Sequence, residues 1–113
     1  MALTKLEEYH ARVRDALILP FKRKMASLTI RSDIWKEELA SLPAGDTTQT
    51  RSLTLGAIDE IDTQVIALAD LKLPGERKAR ASEAEVQELL GTFAAMRSLL
   101  VTMSGDATVP KAA

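Results

Sequence analysis

The sequence predicts an all-α fold, an antiparallel helical bundle of three long helices and one short one, and three observations point that way. First, three segments place a large apolar residue every three or four positions: Leu6, Tyr9, Val13, Leu17, Phe21, Met25 and Leu28; Leu55, Ile58, Ile61, Val65 and Leu68; Val86, Leu89, Phe93, Met96, Leu100 and Met103. That spacing gathers side chains on one face of an α-helix. Second, alanine and leucine dominate, while Tyr9, Phe21, Trp35 and Phe93 are the full set of aromatics, a balance that favours helix over sheet. Third, the gaps between the segments hold turn chemistry, Pro43-Ala44-Gly45-Asp46 and Leu73-Pro74-Gly75.

The first helix opens at Thr4, with Glu7 three residues on forming a capping box. It is expected over about 5–28, kinked at Pro20, because proline removes one donor and clashes with the carbonyl of Ala16 while the stripe keeps its phase through Leu17, Phe21 and Met25. Thr29 to Ser32 reads as a break, with Ser32 and Asp33 suited to a new N-cap, so a short helix is expected over about 33–42; one continuous helix is the alternative. Asp46 is the expected cap of the next long helix, over about 50–72, although Thr50 to Leu55 alternates like a strand. Ile66, Ala69 and Leu73 give that helix a second apolar side, the mark of a central position. Ser82 with Glu85 reads as a second capping box, opening a helix over about 83–104 that Gly105 terminates. Residues 1–105 then form a single domain and 106–113 a C-terminal tail.

Composition narrows the function classes. The chain has 113 residues, enough for one domain with its own core, and no cysteine, which removes disulfides, thiolate metal sites and cysteine nucleophiles. No stretch reaches the ~20 apolar residues of a membrane span, and the first residues lack a signal core, so a cytoplasmic location away from membranes is the expectation. A net charge of -1 argues against a dedicated nucleic-acid coat. The charge is uneven: Arg12, Arg14, Lys22, Arg23, Lys24 and Arg31 stand in one segment, Asp59, Glu60, Asp62 and Asp70 in another. Antiparallel packing would set these two groups against each other.

Little is left for chemistry. His10 is the single histidine, so a triad or a multi-histidine metal site within one chain fails. Glu7 and His10 form the Glu-x-x-His pair of di-iron bundles, but such a site needs a second pair and two further carboxylates. The other paired carboxylates belong to solvated faces, and the five glycines are isolated rather than gathered in a phosphate loop. Gly56 and Gly91, inside expected helices, suggest close helix crossings. The basic run Arg77-Lys78-Ala79-Arg80 before Ser82 suits a modified hydroxyl or an anion at a helix N-terminus, with a plain N-cap the simpler reading.

These residues lead us to expect a non-enzymatic interaction protein, an assembly subunit, adaptor or inhibitor working through helix faces, without metal or cofactor. Its partner would be another protein or a second copy. The candidate surface is Trp35, Ile18, Leu19, Lys22, Arg23 and Lys24, since Trp35 and several other apolar residues (Ile66, Leu71, Leu73, Leu99) stand outside the stripes. The alternative is a small DNA-binding regulator of helix-turn-helix type. Thr47, Gln49 and Arg51 would then open its recognition helix, a reading the acids Asp59, Glu60 and Asp62 weaken.

Overall fold

The computed structural model describes residues 4–42, 46–74 and 80–105, with the side chains of 80 and 81 excepted. Among these residues there are three α-helices and no strand: α1 (Lys5–Ser41), α2 (Thr48–Ala69) and α3 (Arg80–Ser104). The expected tail, residues 106–113, and the turn residues Pro43, Ala44 and Gly45 lie outside the described residues.

α1 begins as its sequence directs. Thr4 is the N-cap, and its side chain accepts a hydrogen bond from the Glu7 amide at 3.1 Å. From there α1 runs for 37 residues without interruption, which corrects two expectations. The kink at Pro20 is not matched: Pro20 and Ala16 are both exposed, so the donor lost at the proline faces solvent and water can satisfy the carbonyl left behind. Nor is there a separate helix over 33–42. The hydroxyls of Thr29 and Ser32 turn back onto the carbonyls of Met25 and Thr29, each at 2.9 Å, instead of capping a new start. β-Branched and hydroxyl residues cost a helix only a few tenths of a kcal/mol each, whereas burying Leu28 and Trp35 on either side is worth about 1.5–3 kcal/mol apiece.

The buried side of α1 also follows a different line from the expected stripe. Arg14, Ile18, Met25, Leu28, Ser32 and Trp35 are buried, with Phe21 and Leu39 packed against the core. Those positions alternate steps of four and three, the heptad spacing that keeps one face toward its neighbours. Leu6, Tyr9 and Leu17, members of the expected stripe, are exposed.

α2 starts at Thr48, with Thr47 rather than Asp46 as its N-cap, and ends at Ala69. Its strand-like opening is helical, because Thr50 and Thr54 fall on the buried face with Ala57, Ile58, Ile61 and Leu68. The second apolar side does not make α2 central: Ile66 is 66% exposed and Ala69 is exposed. α3 begins at Arg80, so Ser82 lies inside its first turn and is not the cap. Its expected stripe holds, with Phe93, Leu100 and Met103 buried and Val86, Leu89 and Met96 partly so. Gly105 ends it at φ 60°, the left-handed conformation that closes many helices.

The three helices share one buried cluster: Met25, Leu28 and Trp35 from α1, Ala57, Ile58, Ile61 and Leu68 from α2, Phe93, Leu100 and Met103 from α3. Their directions follow from side-chain bonds. Arg14 reaches Ser82 and Lys22 pairs with Glu85, so α1 and α3 ascend together. Arg31 bonds Glu60 and Thr50 bonds Glu38, so α2 descends between those points.

Candidate functional site

The residues expected to form a partner surface divide into core, clamp and true surface. Ile18 is fully buried and Trp35 is 7% exposed, with Trp35 inside the shared cluster. Both lie on the heptad line of α1, and neither is available to a partner in this conformation. The Arg31 guanidinium stands 5.8 Å from the centre of the Trp35 ring, a cation–π distance.

Lys24 and Lys22 tie α1 to its neighbours. Lys24 donates to Glu60 at 2.7 Å, and Arg31 donates to the two oxygens of the same carboxylate at 2.8 and 3.1 Å. The Arg31 hydrogen bond, with help from Lys24, outweighs partial desolvation and holds the Glu60 carboxyl down to about 2. Lys22 pairs with Glu85 of α3, and that hydrogen bond raises its pKa. On the α2–α3 side Arg97 donates to Asp62 at 2.8 Å. The basic segment of α1 thus meets one acid of the 58–70 segment directly, as the charge pattern implies. Of the expected surface, Leu19 (41% exposed) and Arg23 remain on the outside, and Lys22 is exposed too despite its ion pair.

The segment that would open a recognition helix is tied inward. Thr47 is 6% exposed, and its hydroxyl accepts from Arg51 Nε at 3.2 Å. Arg51 Nη1 donates to the carbonyl of Met103 at 3.1 Å, answering the partial negative charge at the end of α3. Gln49 is exposed. Glu7 is engaged at the N-cap of α1, and among the described residues no group of three or more histidine or acidic side chains could hold a metal ion.

Gly56 and Gly91 mark no crossing, since a Cβ added at either meets nothing within 4 Å. Of the apolar residues outside the stripes, Leu71 and Leu99 pack against the core, Leu73 is half-buried and Ile66 stays exposed.

Two features escaped the sequence. One is an open groove of about 370 Å³ between α1 and α3, floored by Met25, Ala26 and Leu89 and rimmed by Lys22, Glu85 and Glu88. The other is the start of α1. Arg14 of α1 bonds to Ser82 and Pro74, and the first α1 side chain to pack against the shared core is Phe21. Ahead of Arg14, Leu6 and Tyr9 are 63% and 57% exposed. The alternating three-and-four spacing from Arg14 onward was the signal for this boundary. No described helix is long and apolar enough to cross a membrane.

No family model matches the chain, and neither the curated proteins nor the solved structures contain a match.

Proposed function

We propose that the protein is a non-enzymatic interaction subunit: its three helices act as one up-down-up bundle whose first helix extends outward to engage another protein. One observation carries this reading. The beginning of α1 keeps helical form while its apolar residues Leu6 and Tyr9 stand in solvent. A segment of about three turns has little helical stability on its own, and exposed apolar stripes on a helix suit a partner's groove or helix face. Leu17 and Leu19, further along α1, extend the exposed apolar area. The proposal places the interaction in the cytoplasm, as expected from the sequence.

The DNA-binding reading is the weaker one. Arg51 is engaged with Thr47 and with the end of α3, and residues 33–42 are not an independent helix.

The test is light scattering and chemical cross-linking of the full chain alone, and with proteins captured from its native host. The double variant Leu6→Asp, Tyr9→Asp should abolish the specific association and leave thermal unfolding within about 2 °C of the parent, since both side chains are exposed. Association that survives this double variant, or duplex-DNA binding that falls with salt and is lost in Arg51→Ala, would overturn the proposal.

A further inference from the structure

The first turns of α1 carry two parallel stripes. Lys5, Glu8, Arg12 and Asp15 follow one another at steps of three, four and three, the spacing that lines up side chains along a helix, and all four are exposed. Leu6, Tyr9, Val13 and Ala16 repeat those steps one residue later, so an apolar stripe runs beside the charged one. Leu6 and Tyr9 are 63% and 57% exposed, Ala16 is exposed and Val13 is half-buried. Arg14, bonded to Ser82 and Pro74, marks the side of the helix turned toward the rest of the molecule, away from the charged stripe.

Along the charged stripe the signs run plus, minus, plus, minus. That order is unchanged when it is reversed end to end and inverted in sign, so the stripe is complementary to itself. Two copies laid parallel in register would set each charge on its like. An antiparallel pair related by a two-fold axis brings the same stripe of each helix together. With Lys5 level with Asp15 of the second copy, Glu8 is level with Arg12 of the second copy, and the axis repeats both pairs. A slide of seven residues in one direction keeps only Arg12 against Asp15, and in the other only Lys5 against Glu8. In the fully paired register Leu6 falls between Val13 and Ala16 of the second copy, and Tyr9 between its Tyr9 and Val13. The apolar stripes therefore interdigitate as knobs into holes.

We propose that the partner at the start of α1 is a second copy of this chain, laid antiparallel across Leu6, Tyr9, Val13 and Ala16. Lys5 and Glu8 then pair with Asp15 and Arg12 of the second copy. This rests on the reading that α1 engages another protein there, and it names that protein. Because the overlap ends near residue 15, the two cores lie at opposite ends of the pair and do not compete for space. The shared length is about 15 Å of helix, less than a permanent interface uses. The dimer is therefore reversible, and in dilute solution Leu6 and Tyr9 return to solvent. The apolar contact supplies the attraction, and the charges select direction and register.

The experiment is sedimentation velocity of the full chain over a concentration series. The parent should show a monomer–dimer equilibrium that weakens as salt rises. Lys5→Glu and Asp15→Lys, each alone, set like charges opposite one another and should raise the dimer Kd at least about tenfold. Both positions are exposed, so helical circular dichroism should be unchanged. Mixed in equal amounts, the two variants should pair with each other about as tightly as the parent does with itself, since one chain is then negative at both positions and the other positive. A parent chain that stays monomeric to about 1 mM overturns this inference. It leaves the wider reading of α1 standing if a different protein binds and is lost in Leu6→Asp, Tyr9→Asp. A dimer that survives that double variant overturns both. A dimer abolished by it but indifferent to the charge reversals, or reversals that do not rescue each other, overturns the antiparallel pairing alone. So do single variants that lose thermal stability without a change in oligomeric state, because the charges would then serve a ladder within one helix.

Discussion

Glu60 is the residue on which the α1–α2 contact turns, because one carboxylate takes three hydrogen bonds from Lys24 and Arg31. Its folded-state pKa lies near 2 against an ordinary 4.5, so the folded state holds its proton less tightly than the unfolded one. The resulting stabilisation is complete above about pH 4.5 and disappears as pH falls toward 2. Urea unfolding between pH 6 and pH 2.5 should show a steep acid limb in the parent and a shallower one in Glu60→Gln, which carries no charge to lose. The same scale shows what the sequence hid. Trp35 stood apart from a stripe drawn in steps of four, since each such step turns 40° beyond a full turn. Alternating steps of four and three bring Ile18 and Trp35 onto the buried line and move Leu17 to its margin. Trp35 therefore acts as a core residue, and truncating it to alanine should cost about 3–5 kcal/mol, measured by denaturant unfolding.

At the scale of the element, helix content and the three stripe-bearing segments were legible, and the boundaries were not. Pro20 and the Thr29–Ser32 stretch both carry local signals for interruption, yet each loses to burial elsewhere on α1. The N-cap at Thr4 was read correctly, its hydroxyl accepting from the Glu7 amide. Ser82 was misread as a cap because α3 begins at Arg80, which leaves its hydroxyl to Arg14. The two helical glycines yield a prediction of their own. Gly56 and Gly91 are exposed and have open space around them, so replacing either by alanine removes backbone freedom from the unfolded chain without a clash. Each should add about 0.5–1 kcal/mol of stability, seen as a rise in denaturant midpoint at constant m. At Gly105 the same change should destabilise, because φ there is 60°.

Across the whole molecule, cohesion is uneven along α1. From Phe21 to Leu39 it meets the shared core, whereas the turns before Arg14 add no residue to that cluster and leave Leu6 and Tyr9 exposed. Native-state hydrogen exchange should resolve this as a gradient: amides near Leu6 to Ala11 exchanging at least about 100-fold faster than those near Leu28 to Trp35, which should open only with global unfolding. Uniform protection along α1 would mean that its beginning is covered in solution, by another copy or another part of the chain. The candidate site was the least legible level. It depends on which residues α1 leaves beyond its neighbours, and that follows from relative helix lengths and offsets, quantities that periodicity in one segment does not carry.

The continuity of α1 through Pro20 has a mechanical consequence. A hinge there would let the first turns swing, and whatever sat on them would be tethered loosely. An unbroken rod makes the same turns a ruler: at 1.5 Å per residue, Leu6 stands about 12 Å along the axis from Arg14, at an azimuth fixed by the helix. A partner gripping Leu6 and Tyr9 would be held at a set distance and angle from the core, and a pull on it would be felt at Trp35.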